Sequence, residues 1–228
     1  MTAHCSHTNV RTSPRKLAGV GTHNDSLRKE VTRPRLNIVV AGHSQLPDHI
    51  EDFDGHNVVT LKRGGATLWS LDRDLNTLWS LPADVVILFL GGNEIIDRSP
   101  ADIKKKFREV IKNIQNRLNA FVFITLIESR DYRKSKHPVR RASADKYNKV
   151  RKFLNKYLTQ SARAGKYRTV DLFGPPWAER KSDGVHLTKD GQAHLVRKWQ
   201  QCVKRYSDGL YDRLVSVNNR DTSWVEHE

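Results

Sequence analysis

The sequence predicts an α/β fold: a three-layer α/β/α sandwich with a flavodoxin-like, mostly parallel, five-stranded sheet. Three observations carry that expectation. Short apolar runs rich in Val, Ile, Leu and Phe recur from Leu36, at Val58–Leu61, Asp84–Leu90, Ala120–Leu126 and Thr169–Phe173. Such runs suit strands buried on both faces, as in a parallel sheet. Between most of them, apolar residues recur at three- and four-residue steps, the period of an amphipathic helix. Strands alternating with helices make one three-layer domain, and 228 residues hold one such domain without demanding two.

The chain divides into three stretches. Residues 1–35 carry seven Lys/Arg against Asp25 and Glu30 and show no hydrophobic period, so they read as a disordered basic arm. His4, Cys5 and His7 lie there, too few to make a metal site without a fourth ligand. Residues 36–206 form the domain. Residues 207–228 are polar and read as a frayed tail.

Within the domain, Leu36-Asn37-Ile38-Val39-Val40-Ala41 is the first strand, broken at Gly42. A polar, acidic loop, Gln45–Asn57, leads to the second strand, and Gly64-Gly65 follows it. Leu68, Leu71, Leu75 and Leu78 predict an amphipathic helix over 66–81, ended by Pro82, with Trp69 and Trp79 covering core edges. Asp84–Leu90 is the clearest buried strand and stops at Gly91-Gly92-Asn93-Glu94. Ser99 is the expected N-cap of the next helix, with Pro100 at its first position. Its apolar face runs from Ile103 to Leu118, and the fourth strand follows. Residues 130–168 hold fourteen Lys/Arg against Asp131 and Asp145. A loop to about Arg141 precedes a helix with a cationic outer face. After the fifth strand, a loop reaches Gly184, and a last core helix runs from about Thr188 to Tyr206.

The formal net charge of +15 attracts polyanions such as nucleic acid or anionic lipid, without specifying any chemistry. Two cysteines, Cys5 and Cys202, make no disulfide framework. No signal-peptide-like stretch occurs at the N-terminus, and no apolar run approaches the roughly 18 residues of a membrane span. A soluble intracellular protein, cytoplasmic or nuclear, is the expectation.

Four turns hold residues that can do chemistry: Gly42-His43-Ser44, Gly64-Gly65, Gly92-Asn93 and Asp183-Gly184-Val185-His186. A serine just past the carboxyl end of a buried strand sits where open α/β sheets bind ligands. Acyl transfer needs a nucleophile, a base, a group that orients the base, and donors for the oxyanion. Ser44 can attack, His186 can take its proton and Asp183 can hold the imidazole. The backbone N–H groups of Ser44 and Gly65, with the Asn93 side chain, can hold the oxyanion. No dinucleotide or phosphate-binding loop and no zinc-spaced Cys/His set occurs, so no cofactor or metal is expected. Leu46 stands where the second glycine of G-x-S-x-G would be, against the larger α/β-hydrolase elbow. His49, His56, His137, His194 and His227 read as surface residues, and Glu94 and Asp97 as residues of a solvated loop.

These four segments, in this order, resemble the blocks of the SGNH hydrolases, the GDSL-type esterases and lipases. The family's G-D-S block is matched by Gly42-His43-Ser44, and its glycine block by Gly65-Ala66-Thr67. Its G-x-N-D block reads Gly91-Gly92-Asn93-Glu94, and its D-x-x-H block reads Asp183-Gly184-Val185-His186, followed by Leu187-Thr188 and Gly191. The resemblance spans about residues 36–206 and implies a flavodoxin-like sheet, a Ser44–His186–Asp183 triad and hydrolysis of small-molecule or lipid esters. His43 and Glu94 depart from it, each replacing an Asp. Domains of this kind also occur in proteins of retroelements, where a basic surface would make sense.

The alternative is a module binding RNA or single-stranded DNA on the same fold. Its basis is the basic segment with Tyr132, Tyr147, Tyr157 and Tyr167 interleaved, since single-strand binders combine charge with stacking aromatics. Arg130, Arg133, Lys134, Lys136, Arg140 and Arg141 are the expected polyanion contacts.

Overall fold

The structure, a computed structural model, describes residues 32–50, 53–131, 138–172 and 180–221. Among these residues five strands form a single sheet: β1 (Asn37–Gly42), β2 (Asn57–Lys62), β3 (Val85–Phe89), β4 (Phe121–Thr125) and β5 (Arg168–Val170). Their order is β2-β1-β3-β4-β5 and every pairing is parallel. This is the flavodoxin-like order, in which the chain runs outward both ways from β1 and β3.

The apolar runs form central strands because both faces of the sheet are covered. Val39, Ala41, Val86, Leu88, Val122 and Ile124 face one hydrophobic cluster. Ile38, Val40, Val85, Ile87, Phe89 and Phe123 face the other. Strand side chains alternate between faces, so an unbroken apolar run serves both layers. The first layer includes α2 (Pro100–Leu118) and α4 (Ala144–Ala162); the second is built on α5 (Lys189–Asp221). The short α3 (Pro138–Ala142) precedes α4, where the sequence predicts loop.

Local signals act as expected at α2. The Ser99 hydroxyl accepts from the Asp102 N–H at 3.1 Å, and Pro100 occupies the first turn. A cap of this kind contributes about 1 kcal/mol. Asn119, at φ 51°, closes the helix in the left-handed region and turns the chain into β4.

Four expectations are corrected. The helix expected over 66–81 is only α1 (Leu71–Asp74) followed by a 3-10 turn at Asn76–Ser80. The Thr67 N–H donates to Ser70 Oγ at 2.9 Å and the Ser70 N–H to Thr67 Oγ1 at 3.0 Å. These side chains hold the backbone in a turn before any helical ladder starts. Leu68, Leu71, Leu75 and Leu78 are still buried; periodicity identified the buried face but not the helix. Secondly, Gln45–Asn57 is not simply polar, because Leu46, Ile50 and Phe53 fill the α5 layer. Thirdly, α5 does not end at Tyr206. It continues to Asp221, with Ser207 buried and an i,i+4 pair between Lys204 and Asp208. Fourthly, the fifth strand covers Arg168–Val170 only. Trp79 is partly buried against the core, whereas Trp69 is exposed beneath the Arg98 guanidinium.

The arm's residues 1–31, with Cys5, His4 and His7, lie outside the described residues, as do His137 and His227. Cys202 is unbridged, and burial pushes its thiol up. Among the described residues no helix is long and apolar enough to cross a membrane.

Candidate active site

Sheet register brings three of the four turns together. Gly42, the last residue of β1, pairs with Lys62 of β2 on one side and Phe89 of β3 on the other. The turns holding Ser44, Gly65 and Asn93 therefore leave the same carboxyl edge, at the switch point where such sheets bind ligands. Gly42 is required by space, since a Cβ there would lie 2.8 Å from the Phe89 carbonyl oxygen.

The fourth turn arrives from far along the chain. Ser44 Oγ lies 3.5 Å from His186 Nε2, across 142 residues of sequence. His186 Nδ1 lies 2.6 Å from Asp183 Oδ2. Asp183 Oδ1 also accepts from the Val185 and His186 N–H groups at 2.8 and 2.9 Å. Burial pushes the Asp183 carboxyl up, but the His186 ring and these two N–H groups outweigh it and hold it at about 2. A carboxylate on Nδ1 selects the tautomer that leaves Nε2 free to accept a proton. The pair is open to solvent: the side chains of His186 and Asp183 are 41% and 44% exposed.

The loop carrying Asp183 and His186 is anchored from behind. The Arg180 side chain donates to the Val185 carbonyl oxygen at 2.9 Å and pairs with Glu128 at 3.4 Å. Little of either side chain in that ion pair reaches solvent. Gln192, in the first turn of α5, donates to the Gln45 carbonyl oxygen at 3.1 Å, tying α5 to the serine turn.

Asn93 is held from two sides. Its Nδ2 donates to the Ala66 carbonyl oxygen at 3.0 Å, and its Oδ1 accepts from Arg130 Nη2 at 3.1 Å. Gly65 is exposed, at φ 72°.

Glu94 and Arg130 depart from their expected places, and His43, for which no place was predicted, is buried beside them. Glu94 is not solvated; it is buried and accepts from the Leu68 N–H, which fixes the turn after Thr67. Burial pushes its carboxyl up, against the pull of that bond and of Arg130. His43 is 3% exposed, with its ring against Phe89 at 4.7 Å between centroids. Burial first, then the charges of Arg130 and His186, push it down to about 3, so the ring is neutral. Arg130 is 5% exposed and points at Asn93, so it is no surface contact for a polyanion. Its place just beyond the carboxyl end of β4, where site residues gather, was a usable signal. Nothing in sequence pairs Glu128 with Arg180.

Of the other expected polyanion contacts, Arg133, Lys134 and Lys136 lie outside the described residues, as does the side chain of Arg140; Arg141 is exposed. Tyr147 and Tyr167 are buried. His49 is exposed; His56 is partly buried and accepts from the Leu36 N–H. Among the described residues no group of three or more His, Cys, Asp or Glu is placed to hold a metal ion.

Serine, histidine and aspartate thus stand in line at the carboxyl edge of an all-parallel sheet. The chain belongs to the GDSL-like lipase/acylhydrolase family, whose sequence model matches residues 25–194. It is thus an SGNH-type hydrolase acting on esters, as the four blocks suggested.

Solved structures share the fold at low identity. A Bacteroides fragilis protein described as an acylhydrolase is 19% identical, with a TM-score of 0.60 over 78% of this chain and 92% of its own. A GDSL-like lipase from Bacteroides thetaiotaomicron is 17% identical, with a TM-score of 0.60 over 77% and 92%. Est24, a carbohydrate acetylesterase from Sinorhizobium meliloti, is 16% identical, with a TM-score of 0.61 over 75% and 100%. No curated protein matches the sequence.

Proposed function

We propose that the chain is a serine esterase that cleaves small-molecule or lipid acyl esters, with Ser44 as nucleophile. The observation that carries this reading is the line of contacts from Ser44 Oγ to His186 Nε2 to Asp183. His186 Nε2 takes the hydroxyl proton as Oγ attacks the ester carbonyl carbon. Asp183 holds the ring and stabilises the imidazolium that forms. The tetrahedral oxyanion is received by the N–H groups of Ser44 and Gly65 and by Asn93 Nδ2, donors of a kind worth about 10²–10³ each in rate. Collapse breaks the ester C–O bond, and His186 returns its proton to the leaving alcohol. Water, deprotonated by His186, then releases the acid and restores Ser44. The 3.5 Å separation of Ser44 and His186 is at the long end of hydrogen bonding, and such contacts tighten when substrate binds.

The test is hydrolysis of p-nitrophenyl acetate, together with labelling by a fluorophosphonate probe. Wild-type protein is expected to hydrolyse the ester and to be labelled at Ser44, and Ser44→Ala to lose both. Unchanged hydrolysis in Ser44→Ala would sink the assignment.

Nucleic-acid binding draws no support from the side chains expected to carry it. Tyr147, Tyr167 and Arg130, all counted toward it in the sequence, are turned into the protein.

A further inference from the structure

We infer that Arg130 is a positioning residue of the oxyanion site, locking the orientation of the Asn93 amide and lending it positive charge. The inference rests on the proposed role of Asn93 as an oxyanion donor.

A guanidinium at 5% exposure is costly unless its surroundings compensate it. Here they do. Arg130 Nη2 donates to Asn93 Oδ1 at 3.1 Å, and the guanidinium lies 5.3 Å from the Tyr147 ring centroid. The buried Glu94 carboxylate interacts with it electrostatically. Asn148, on α4, clamps the Arg130 backbone, its Nδ2 donating to the Arg130 carbonyl oxygen at 2.8 Å. Space for the guanidinium exists because residue 92 is glycine: a Cβ there would lie 2.8 Å from Arg130 Nη2 and 3.1 Å from the Tyr147 hydroxyl.

The consequence concerns which way the amide faces. The two ends of an Asn side chain have nearly the same shape, and a flipped Asn93 would aim its oxygen at the oxyanion. A guanidinium has donors only, so it accepts Oδ1 as its partner and rejects Nδ2. The Ala66 carbonyl oxygen accepts only, so it takes Nδ2 and rejects Oδ1. Each contact forbids the flip, and the second Nδ2 hydrogen is left for the oxyanion. Donation to Oδ1 also polarises the amide and strengthens its N–H groups as donors. A neutral ester carbonyl gains little from this and an oxyanion gains much, so the effect falls on kcat rather than KM.

Four variants test it: Asn93→Ala, Arg130→Met, the double variant, and Arg130→Lys. For each, kcat and KM for p-nitrophenyl acetate, inhibition by an aryl trifluoromethyl ketone, and the thermal midpoint are measured. That ketone adds Ser44 Oγ to its carbonyl carbon, giving a tetrahedral oxyanion. Arg130→Met is expected to lower kcat about 10–100-fold, to leave KM within about twofold, and to weaken the ketone in step with kcat. In the Asn93→Ala background the same change should cost less than about threefold, because the amide it acts through is gone. Arg130→Lys keeps the charge but not the planar fork and is expected to lose about tenfold in kcat; it carries the test if Arg130→Met does not fold. A folded Arg130 variant with full kcat, or losses that simply multiply with those of Asn93→Ala, overturns the inference while leaving Ser44 as nucleophile. A wild-type protein that neither hydrolyses the ester nor takes the fluorophosphonate label overturns the esterase mechanism and this inference together.

Discussion

The backbone N–H of Asp131 donates to the Gly184 carbonyl oxygen at 2.9 Å, and a methyl group on Gly184 would come within 2.6 Å of the Asp131 carbonyl oxygen. The turn between Asp183 and His186 is thus seated directly on the segment that leaves β4. The residue before Asp131 reaches Asn93, so adjacent residues of one segment contact both the Asp183–His186 turn and the Asn93 turn. Gly184 is also at φ 68°, where a side chain is strained. Gly184→Ala should therefore lift His186 off its seat and lower kcat at least about tenfold, since misplacement by an ångström can cost 10². The control is Gly165→Ala, at φ 80° but with no atom near its would-be Cβ; it should leave kcat unchanged. Equal kcat in the two variants would show that the seat does not matter.

Asp183→Asn replaces an acceptor-only carboxylate with an amide that can present N–H to Nδ1. The imidazole would then favour the tautomer with its proton on Nε2, the wrong one for a base. A kcat loss of about 10²–10⁴ is expected, with an unchanged circular dichroism spectrum. The Asp183 carboxyl is held at about 2, below its ordinary 3.8. Its contribution to stability is therefore present above about pH 4 and lost as pH falls toward 2. A variant retaining more than half the wild-type kcat would remove Asp183 from the mechanism.

His43 couples stability to pH in a milder range. Its ring is pushed from 6.5 to about 3 by burial, so the unfolded chain binds a proton there that the folded chain does not. Stability from this group is complete above about pH 6.5 and declines as pH falls toward 3, by up to about 1.4 kcal/mol per pH unit. Urea unfolding at pH 7 and pH 5 should show the wild type losing about 1–2 kcal/mol more than His43→Gln, which cannot take the proton. Identical losses in the two proteins would show that the ring does not titrate differently on folding.

Thr125 and Trp199 test the sheet's second layer apart from chemistry. Trp199 Nε1 donates to Thr125 Oγ1 at 2.9 Å, with both residues buried. Thr125→Val keeps the shape but strands the indole N–H, at a cost of about 1–3 kcal/mol. Chemical denaturation should show that loss, while kcat stays within about twofold. An unchanged midpoint would mean that the indole finds another partner.

The sheet was readable in the sequence because each central strand is an apolar run serving two hydrophobic layers, and such a run announces itself without knowledge of its partners. Ser99 and Pro100 were readable for a similar reason, as a cap acts within one turn. The Asp183–His186 pair is also local, three residues apart, and needed only the turn that Gly184 permits. Where side-chain chemistry competed locally with the pattern, as between Thr67 and Ser70, periodicity gave the buried face and missed the backbone. The helix from Thr188 was foreseen, but its extension past Tyr206 was not, because Leu210 and Leu214 stand among many polar residues there.

By itself, then, the sequence determined which residues are apolar enough to form the layers and which turns end the strands, since both follow from neighbours along the chain. Only the tertiary structure decided that Ser44 meets His186 across 142 residues, that His43 is buried and neutral, and that Arg130 faces Asn93 instead of solvent. A buried polar or charged group is tolerated only where partners compensate it, and those partners come from other strands and loops. Charge count alone assigned Arg130 to the surface; the fold supplied Asn93, Tyr147 and the bare Cα of Gly92, and with them a place inside.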